Sequence, residues 1–349
     1  MINPMHRSPA ALLLAAALIA PGAVFAQTAA SVTECATIDA DSARLACYDR
    51  AAGRQPAPAA GDVPQASKPS SVVGERAAPP EGELRAPASL IDTAWGFTPG
   101  STRYSIDLYN QNYFLFGRYT NNLNTAPYAP LFQAAGQPQN LDDVEAKFQI
   151  SFKMRLWTTD DRRWGVWAAY TQQNQWQVYN GDTSRPFRET NYMPELFASY
   201  RPGIDLGGGF KWNLLNVGYT HQSNGRSDIL SRSWDRIIAT FGVEREDFAV
   251  LAKVWYAFNY KEDNPDIADY YGYGSLTGIY KWRGSSFSLM LRGNPGKGKG
   301  AAELTWMSPR LLGPLRAYVQ GFTGYGESLI DYNWNQRTIG IGVAINDAL

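Results

Sequence analysis

A histidine and a serine two residues apart, in the run Tyr219-Thr-His-Gln-Ser-Asn-Gly-Arg-Ser-Asp228, are the side chains of this protein best suited to chemistry. A neutral imidazole can take the proton of a serine hydroxyl and make it a nucleophile, provided a third group fixes the imidazole's tautomer. The chain has two histidines, and the other, His6, sits beside Arg7 at the basic start of an apolar leader. Residues two apart on a strand share a face. Through Leu215, Val217, Tyr219, His221 and Ser223 the odd positions are apolar until the last two, while Asn216, Gly218, Thr220 and Gln222 are small or polar. The next segment keeps the phase: Ile237, Ala239, Phe241 and Val243 are apolar, and Asp235 is in step with them. Folded as a hairpin, the two segments bring a carboxylate, an imidazole and a hydroxyl together on the apolar side of a sheet. A soluble enzyme would bury that side; an enzyme whose substrate is membrane lipid would use it. The plainer reading of the same residues is a polar girdle, with His221 touching lipid headgroups. In the intervening loop, Gly225 lets backbone amides approach an oxyanion. Arg226, Ser227, Asp228 and Ser231 offer oxygens of the kind that calcium prefers.

The elements that must position these groups are short alternating runs rich in aromatic and β-branched residues. Twelve are predicted: Tyr113–Thr120, Ala146–Trp157, Trp164–Gln172, Tyr192–Tyr200, Phe210–Gln222, Trp234–Glu244, Phe248–Phe258, Tyr270–Lys281, Ser286–Arg292, Ala301–Met307, Leu315–Phe322 and Gln336–Ile345. Most approach the roughly ten residues that a tilted strand needs to cross a bilayer. Short connections alternate with longer, more polar ones, apart from the short one after the ninth run. That is the pattern of an all-β, twelve-stranded antiparallel barrel in an outer membrane; a soluble β-sandwich is the competing fold. With a periplasmic N-terminus, the loop after the fifth strand faces outside, so His221 and Ser223 fall near the outer-leaflet interface.

The rest of the chain sets the context. Residues 1–26 read as a signal peptide, with an apolar run that Pro21 and Gly22 break before Ala26. Residues 27–51 hold the two cysteines, Cys35 and Cys47, for which a disulfide is the default in an exported protein; closing that loop is worth about 3 kcal/mol. Residues 52–90 are rich in Ala, Pro, Gly and Ser and lack aromatics, which predicts a disordered linker. All eleven tryptophans come after it, so residues 91–349 are the folded body. Net charge is zero and no basic patch alternates with exposed aromatics, which argues against a nucleic-acid partner.

The stretch from His221 to Arg236 closely resembles the hallmark of bacterial outer-membrane phospholipase A. The likeness continues in Pro186-Phe-Arg-Glu-Thr-Asn-Tyr192, Glu262-Asp-Asn-Pro-Asp-Ile267 and Gly324-Tyr-Gly-Glu-Ser-Leu-Ile-Asp-Tyr-Asn333. The resemblance covers residues from about 100 to the end. It implies a calcium-dependent serine hydrolase that cleaves acyl esters at either glycerol position of phospholipids, and lysophospholipids, and is active as a homodimer. By position it makes Ser223 the nucleophile, His221 the base and Gly225 the oxyanion amide. Calcium would be held by the Arg226 carbonyl, the Ser231 hydroxyl and the Ser184 carbonyl from the partner subunit, with Asp228 and Asp263 matching a second position. Gln172 matches a polar residue at the dimer interface, and its phase continues the lipid face of Trp164, Val166, Ala168 and Tyr170. The orienting residue in the pattern is usually Asn, where this chain has Asp235, a charge close to hydrocarbon. The rival from another class is a non-catalytic barrel or a passive pore, which would need a wide lumen.

Overall fold

The computed structural model describes residues 32–52, 89–136 and 140–349. The predicted signal peptide, the first residues of the cysteine segment and almost all of the linker lie outside them. The chain divides into two compact units. In the first, two short helices, α1 (Val32–Cys35) and α2 (Asp41–Ala51), are joined by the Cys35–Cys47 disulfide, as the spacing predicts. Asp41 occupies the first turn of α2 and Arg50 the last, the placement that the helix dipole favours.

The second unit is a barrel. Among the described residues twelve strands form its wall: β1 (Asn112–Thr120), β2 (Val144–Thr158), β3 (Trp164–Trp176), β4 (Phe187–Tyr200), β5 (Phe210–Ser223), β6 (Ser233–Arg245), β7 (Phe248–Phe258), β8 (Gly274–Trp282), β9 (Ser285–Asn294), β10 (Lys299–Met307), β11 (Arg316–Tyr325) and β12 (Asn335–Asn346). Each pairs antiparallel with the next, and β12 pairs back onto β1 through Thr338↔Thr120 to Asn346↔Asn112, which closes the ring. Closure leaves no unpaired edge, the condition for a sheet to stand in hydrocarbon.

The faces are inverted relative to a soluble protein. In β6 the even residues Trp234, Arg236, Ile238, Thr240 and Glu244 are buried inside, while Ile237 and Phe241 are exposed. Ile150, Met154, Leu196, Val217, Leu304, Ile339 and Ile341 extend the exposed apolar belt, and Trp157, Trp164 and Trp282 stand near the short turns at one end. An apolar band edged by aromatics is the surface of a barrel in a membrane. The competing soluble sandwich is excluded by closure and by this exterior.

One predicted strand needs correction. Tyr270 was expected to begin the eighth strand, yet residues Ile267–Tyr271 form a short helix, α3, and β8 starts at Gly274. Burial explains the difference: Ile267 and Tyr271 pack with Trp234, Trp255 and Leu329 inside the barrel mouth. One helical turn sets these two residues, four apart, on the same side, facing that cluster.

The interior is filled from both ends. At the end with the short turns, a helix preceding β1, Leu90–Trp95, inserts Ile91, Trp95 and Phe97 against Trp167, Ala169, Phe197 and Leu214. Ser89 caps this helix by accepting from the Asp92 amide, and Gly96 closes it at φ +60°. A Cβ at Gly96 would run into the Arg155 guanidinium, which donates to the Trp95 carbonyl at 2.9 Å. At the other end, the loop between β11 and β12 folds inward and buries Glu327, Ser328, Leu329, Ile330 and Asp331. Glu327 pairs with Arg118 and with Lys147 at 2.9 Å; Arg118 also pairs with Glu145, Glu145 with Arg188, and Arg188 with Asp331 at 3.3 Å. Burial opposes the charge on Glu327, but Arg118 and Lys147 outweigh it and hold the carboxyl well below its ordinary range. Below this loop an interior cavity of about 170 Å³ is lined by Gln149, Gln173, Gln222, Arg292 and Glu303 among others. Such an interior does not suit a passive pore.

Candidate active site

The β5–β6 hairpin sets the site. Its register pairs His221 with Asp235 and Ser223 with Ser233, and each of these points outward in phase with Val217, Tyr219 and Ile237. The inner face locks the hairpin: Gln222 turns inside, where its side-chain oxygen accepts from Trp234 Nε1 at 2.9 Å and from Arg236 at 3.1 Å. With the inner side chains fixed, alternation fixes the outer ones.

On the outside, His221 Nδ1 lies 2.8 Å from Asp235 Oδ1. A carboxylate oxygen can only accept, so in this contact the proton belongs on Nδ1, and Nε2 of the neutral imidazole is left as the acceptor. Ser223 stands one strand repeat beyond, on the same face. The His221 side chain is 36% exposed and that of Asp235 13%, so the imidazole edge meets the surroundings while the carboxylate is largely covered. The covering is more than the sequence indicated. The Tyr219 hydroxyl donates to Asp235 Oδ1 at 2.6 Å, and Asn259 Nδ2 donates to Oδ2 at 2.9 Å. Tyr219 was legible only as part of the apolar phase, and Asn259, beyond the end of β7, left no signal in the sequence.

The loop after Ser223 is built around Asn224. Its backbone N–H donates to the Arg232 carbonyl at 3.0 Å and its side-chain N–H to the Leu230 carbonyl at 2.7 Å. Its Oδ1 accepts from the amides of Arg226 and Arg232. Gly225 follows at φ +62°, where an added Cβ would lie 3.0 Å from the Tyr192 ring. The Arg226 guanidinium reaches back to donate to the carbonyls of Phe187 and Arg188. Asp228 is exposed at φ +54°, and Ser231 donates its amide to the Asp228 carbonyl. Ser184, in the long connection after β3, also has a left-handed backbone, φ +61°. Non-glycine residues held there are costly and cluster at functional sites.

Asp263 lies on the connection between β7 and β8. Its carboxylate accepts the Ser233 hydroxyl at 2.6 Å while the neighbouring Asn264 accepts the Ser233 amide, so this pair fastens the β7–β8 connection to β6. Among the described residues there is no cluster of three or more His, Cys, Asp or Glu side chains able to share an ion. The loop from Gly225 to Ser231 offers carbonyl, hydroxyl and carboxylate oxygens, an all-oxygen donor set that fits a hard cation such as calcium.

Gln172 lies on the exterior, opposite Tyr192, which is itself opposite Ser223. Its amide oxygen accepts from the Tyr170 hydroxyl at 2.9 Å, and its N–H donates to Asn174 at 3.0 Å.

Known proteins resemble this chain in sequence and in fold. The sequence profile of the family described as Phospholipase A1 matches residues 98–345. A protein of Neisseria meningitidis serogroup B is 38% identical over an alignment 373 positions long, gaps included, that covers 96% of this chain and 95% of its own. Phospholipase A1 of Escherichia coli K12 is 40% identical over 242 residues, 68% of this chain and 81% of that protein. Among solved structures, outer membrane phospholipase A from Escherichia coli superimposes with a TM-score of 0.67 at 34% identity, covering 76% of this chain and all of the other. The outer membrane phospholipase dimer of Salmonella typhi, solved with bound calcium, matches equally well: TM-score 0.67, 34% identity, and the same coverage.

Proposed function

The chain belongs to the phospholipase A1 family and is an outer-membrane phospholipase; from that premise we propose that Ser223 is its nucleophile, His221 its general base and Asp235 the residue that orients the base. The observation that carries this assignment is the 2.8 Å contact between His221 Nδ1 and Asp235 on the lipid-facing side of the hairpin, with Ser223 one repeat further on.

Each residue has a chemical task. As Ser223 Oγ attacks an acyl ester carbonyl, His221 Nε2 takes its proton, and the imidazolium so formed is stabilised by Asp235 across Nδ1. The Gly225 N–H donates to the developing oxyanion. The imidazolium then returns its proton to the departing glycerol oxygen, leaving the acyl group on Ser223. Water, activated by the same imidazole, releases the fatty acid. Because the site is on the barrel's exterior, it meets acyl esters where the bilayer's headgroup region begins. This reading extends to acyl esters at either glycerol position, and to lysophospholipids.

The Arg226 carbonyl and the Ser231 hydroxyl would hold calcium, with the Ser184 carbonyl of the partner subunit. Bound there, the ion would add positive charge beside the oxyanion. Asp228 is the exposed carboxylate open to a second ion; Asp263 would have to leave Ser233 to join it. This reading makes the active species a homodimer, with Gln172 at the contact. The deciding experiment is hydrolysis of phospholipid in mixed detergent micelles by the purified protein, with calcium or with chelator, beside Ser223→Ala. Full turnover by the Ser223→Ala protein would overturn the assignment.

A further inference from the structure

Asp235 carries a negative charge at the rim of the hydrocarbon, where an unpartnered carboxylate is expensive. It is not unpartnered. Oδ1 accepts from both His221 Nδ1 and the Tyr219 hydroxyl, and Oδ2 accepts from Asn259 Nδ2. Tyr219 reaches Asp235 from the same face of β5, one repeat before His221. Asn259 reaches it from the bend that follows β7. Phe258, the last residue of β7, is the cross-strand partner of Asp235, so simple alternation would turn Asn259 to the other side of the wall. The backbone at Asn259 is instead left-handed, φ +50°, which releases the side chain from that alternation. Asparagine is among the few residues that tolerate this conformation.

We propose that Asn259, with Tyr219 in support, is a positioning residue for the hydrolysis: by holding Oδ2 it sets the rotation of the Asp235 carboxylate and keeps Oδ1 on the imidazole. The proposal rests on the Ser223–His221–Asp235 reading. Its chemistry is specific to a carboxylate at position 235. A carboxylate has acceptors on both oxygens, so its second partner must be a donor, and an amide at 259 supplies one. Were position 235 an amide, its N–H₂ would need an acceptor there, which the Asn259 amide could also supply by reversing. The two positions therefore form a matched pair in which donor and acceptor can be exchanged.

That exchange is the test. kcat and KM are measured on mixed phospholipid–detergent micelles with calcium for Asn259→Ala, Tyr219→Phe, Asn259→Asp, and Asn259→Asp combined with Asp235→Asn. Expected are a loss in kcat of about tenfold for Asn259→Ala, the scale of one lost hydrogen bond to a charged group, and a smaller one for Tyr219→Phe. Asn259→Asp sets two carboxylates against each other and should lose more than Asn259→Ala. The combined exchange restores one donor and one acceptor and should recover kcat to at least the Asn259→Ala level, with KM within about twofold throughout. Wild-type kcat in Asn259→Asp, an effect confined to KM, or no recovery on exchange in heat-modifiable protein overturns the proposal. Ser223→Ala in the same assay separates the two levels. If it is inactive while the Asn259 variants are wild-type, only the positioning role falls; if it is active, the triad reading falls and the positioning role with it.

Discussion

Gln172 and Ser223 stand in one cross-strand row on the barrel's exterior, with Tyr192 alone between them. Adjacent strands lie roughly 4.8 Å apart, so the amide assigned to subunit contact is about 10 Å from the proposed nucleophile. A second barrel seated on Gln172 would therefore border the reaction itself. Ser184 follows β3, the strand that carries Gln172, on the side of the barrel where the Gly225–Ser231 loop emerges.

Dimerisation and activity should consequently rise and fall together. In analytical ultercentrifugation with calcium and a substrate analogue the protein should be dimeric, and chelator should return it to an inactive monomer. Gln172→Ala should weaken association by a modest amount, because Tyr170 and Asn174 already satisfy the amide within one subunit. A calcium-free monomer with full turnover would refute this coupling.

Ser223→Ala should abolish hydrolysis and leave the barrel intact, since the residue sits at the end of β5 and packs into no core cluster among the described residues. The check is activity beside the shift in gel mobility on heating. Loss of the mobility shift together with activity would mean that Ser223 is needed for folding.

Asp235→Asn should keep substantial activity, because an amide oxygen can still accept the imidazole N–H and Asn259 can reverse to meet the new N–H₂. Asp235→Ala removes every acceptor and should cost far more. Equal loss in the two variants would show that the carboxylate's charge, and not its orienting hydrogen bond, is what the reaction needs.

The buried ionic lock gives a prediction for stability. Glu327→Ala leaves Arg118 short of one partner and Lys147 without its paired acid, and breaking a buried pair in this way costs about 3–5 kcal/mol. The temperature of the mobility shift should fall clearly in that variant. Since the folded carboxyl titrates below its unfolded value of about 4.3, its contribution is complete above that value and lost as pH falls through the folded one. In the wild type the Glu327 contribution should thus be steady from pH 7 to about 5 and decline only in stronger acid. A Glu327→Ala protein with wild-type thermal behaviour would show that the lock does not stabilise the barrel.

The barrel was legible because each strand repeats one simple rule, and ends agree with the predicted runs within a few residues at most strands. The rule failed where the chain left the wall. At Arg188 a bulge, between the pairs Gln175↔Glu189 and Trp176↔Phe187, turns a residue of lipid-facing phase inward to Glu145 and Asp331. At Tyr270 aromatic spacing mimicked a strand, and only packing on Trp234 and Trp255 reveals the helix. The hairpin placed His221, Ser223 and Asp235 together from phase alone, because all three belong to adjacent strands. Arg118, Glu145, Lys147, Arg188 and Glu327 come from four separate segments, so no local pattern announced their network. Asn259 escaped notice for a related reason: its backbone departs from the alternation on which the reading depended.

An active site on the outer wall of a barrel has a floor but no enclosing walls. The barrel supplies the reacting groups, and the neighbouring lipids complete the compartment. Substrate supply to such a site is counted in molecules per unit area, not per unit volume. Diluting the bulk solution should then leave turnover unchanged, whereas spreading the same phospholipid through an inert amphiphile should slow it. The fluidity and lateral pressure of the surrounding film become kinetic variables alongside temperature and pH.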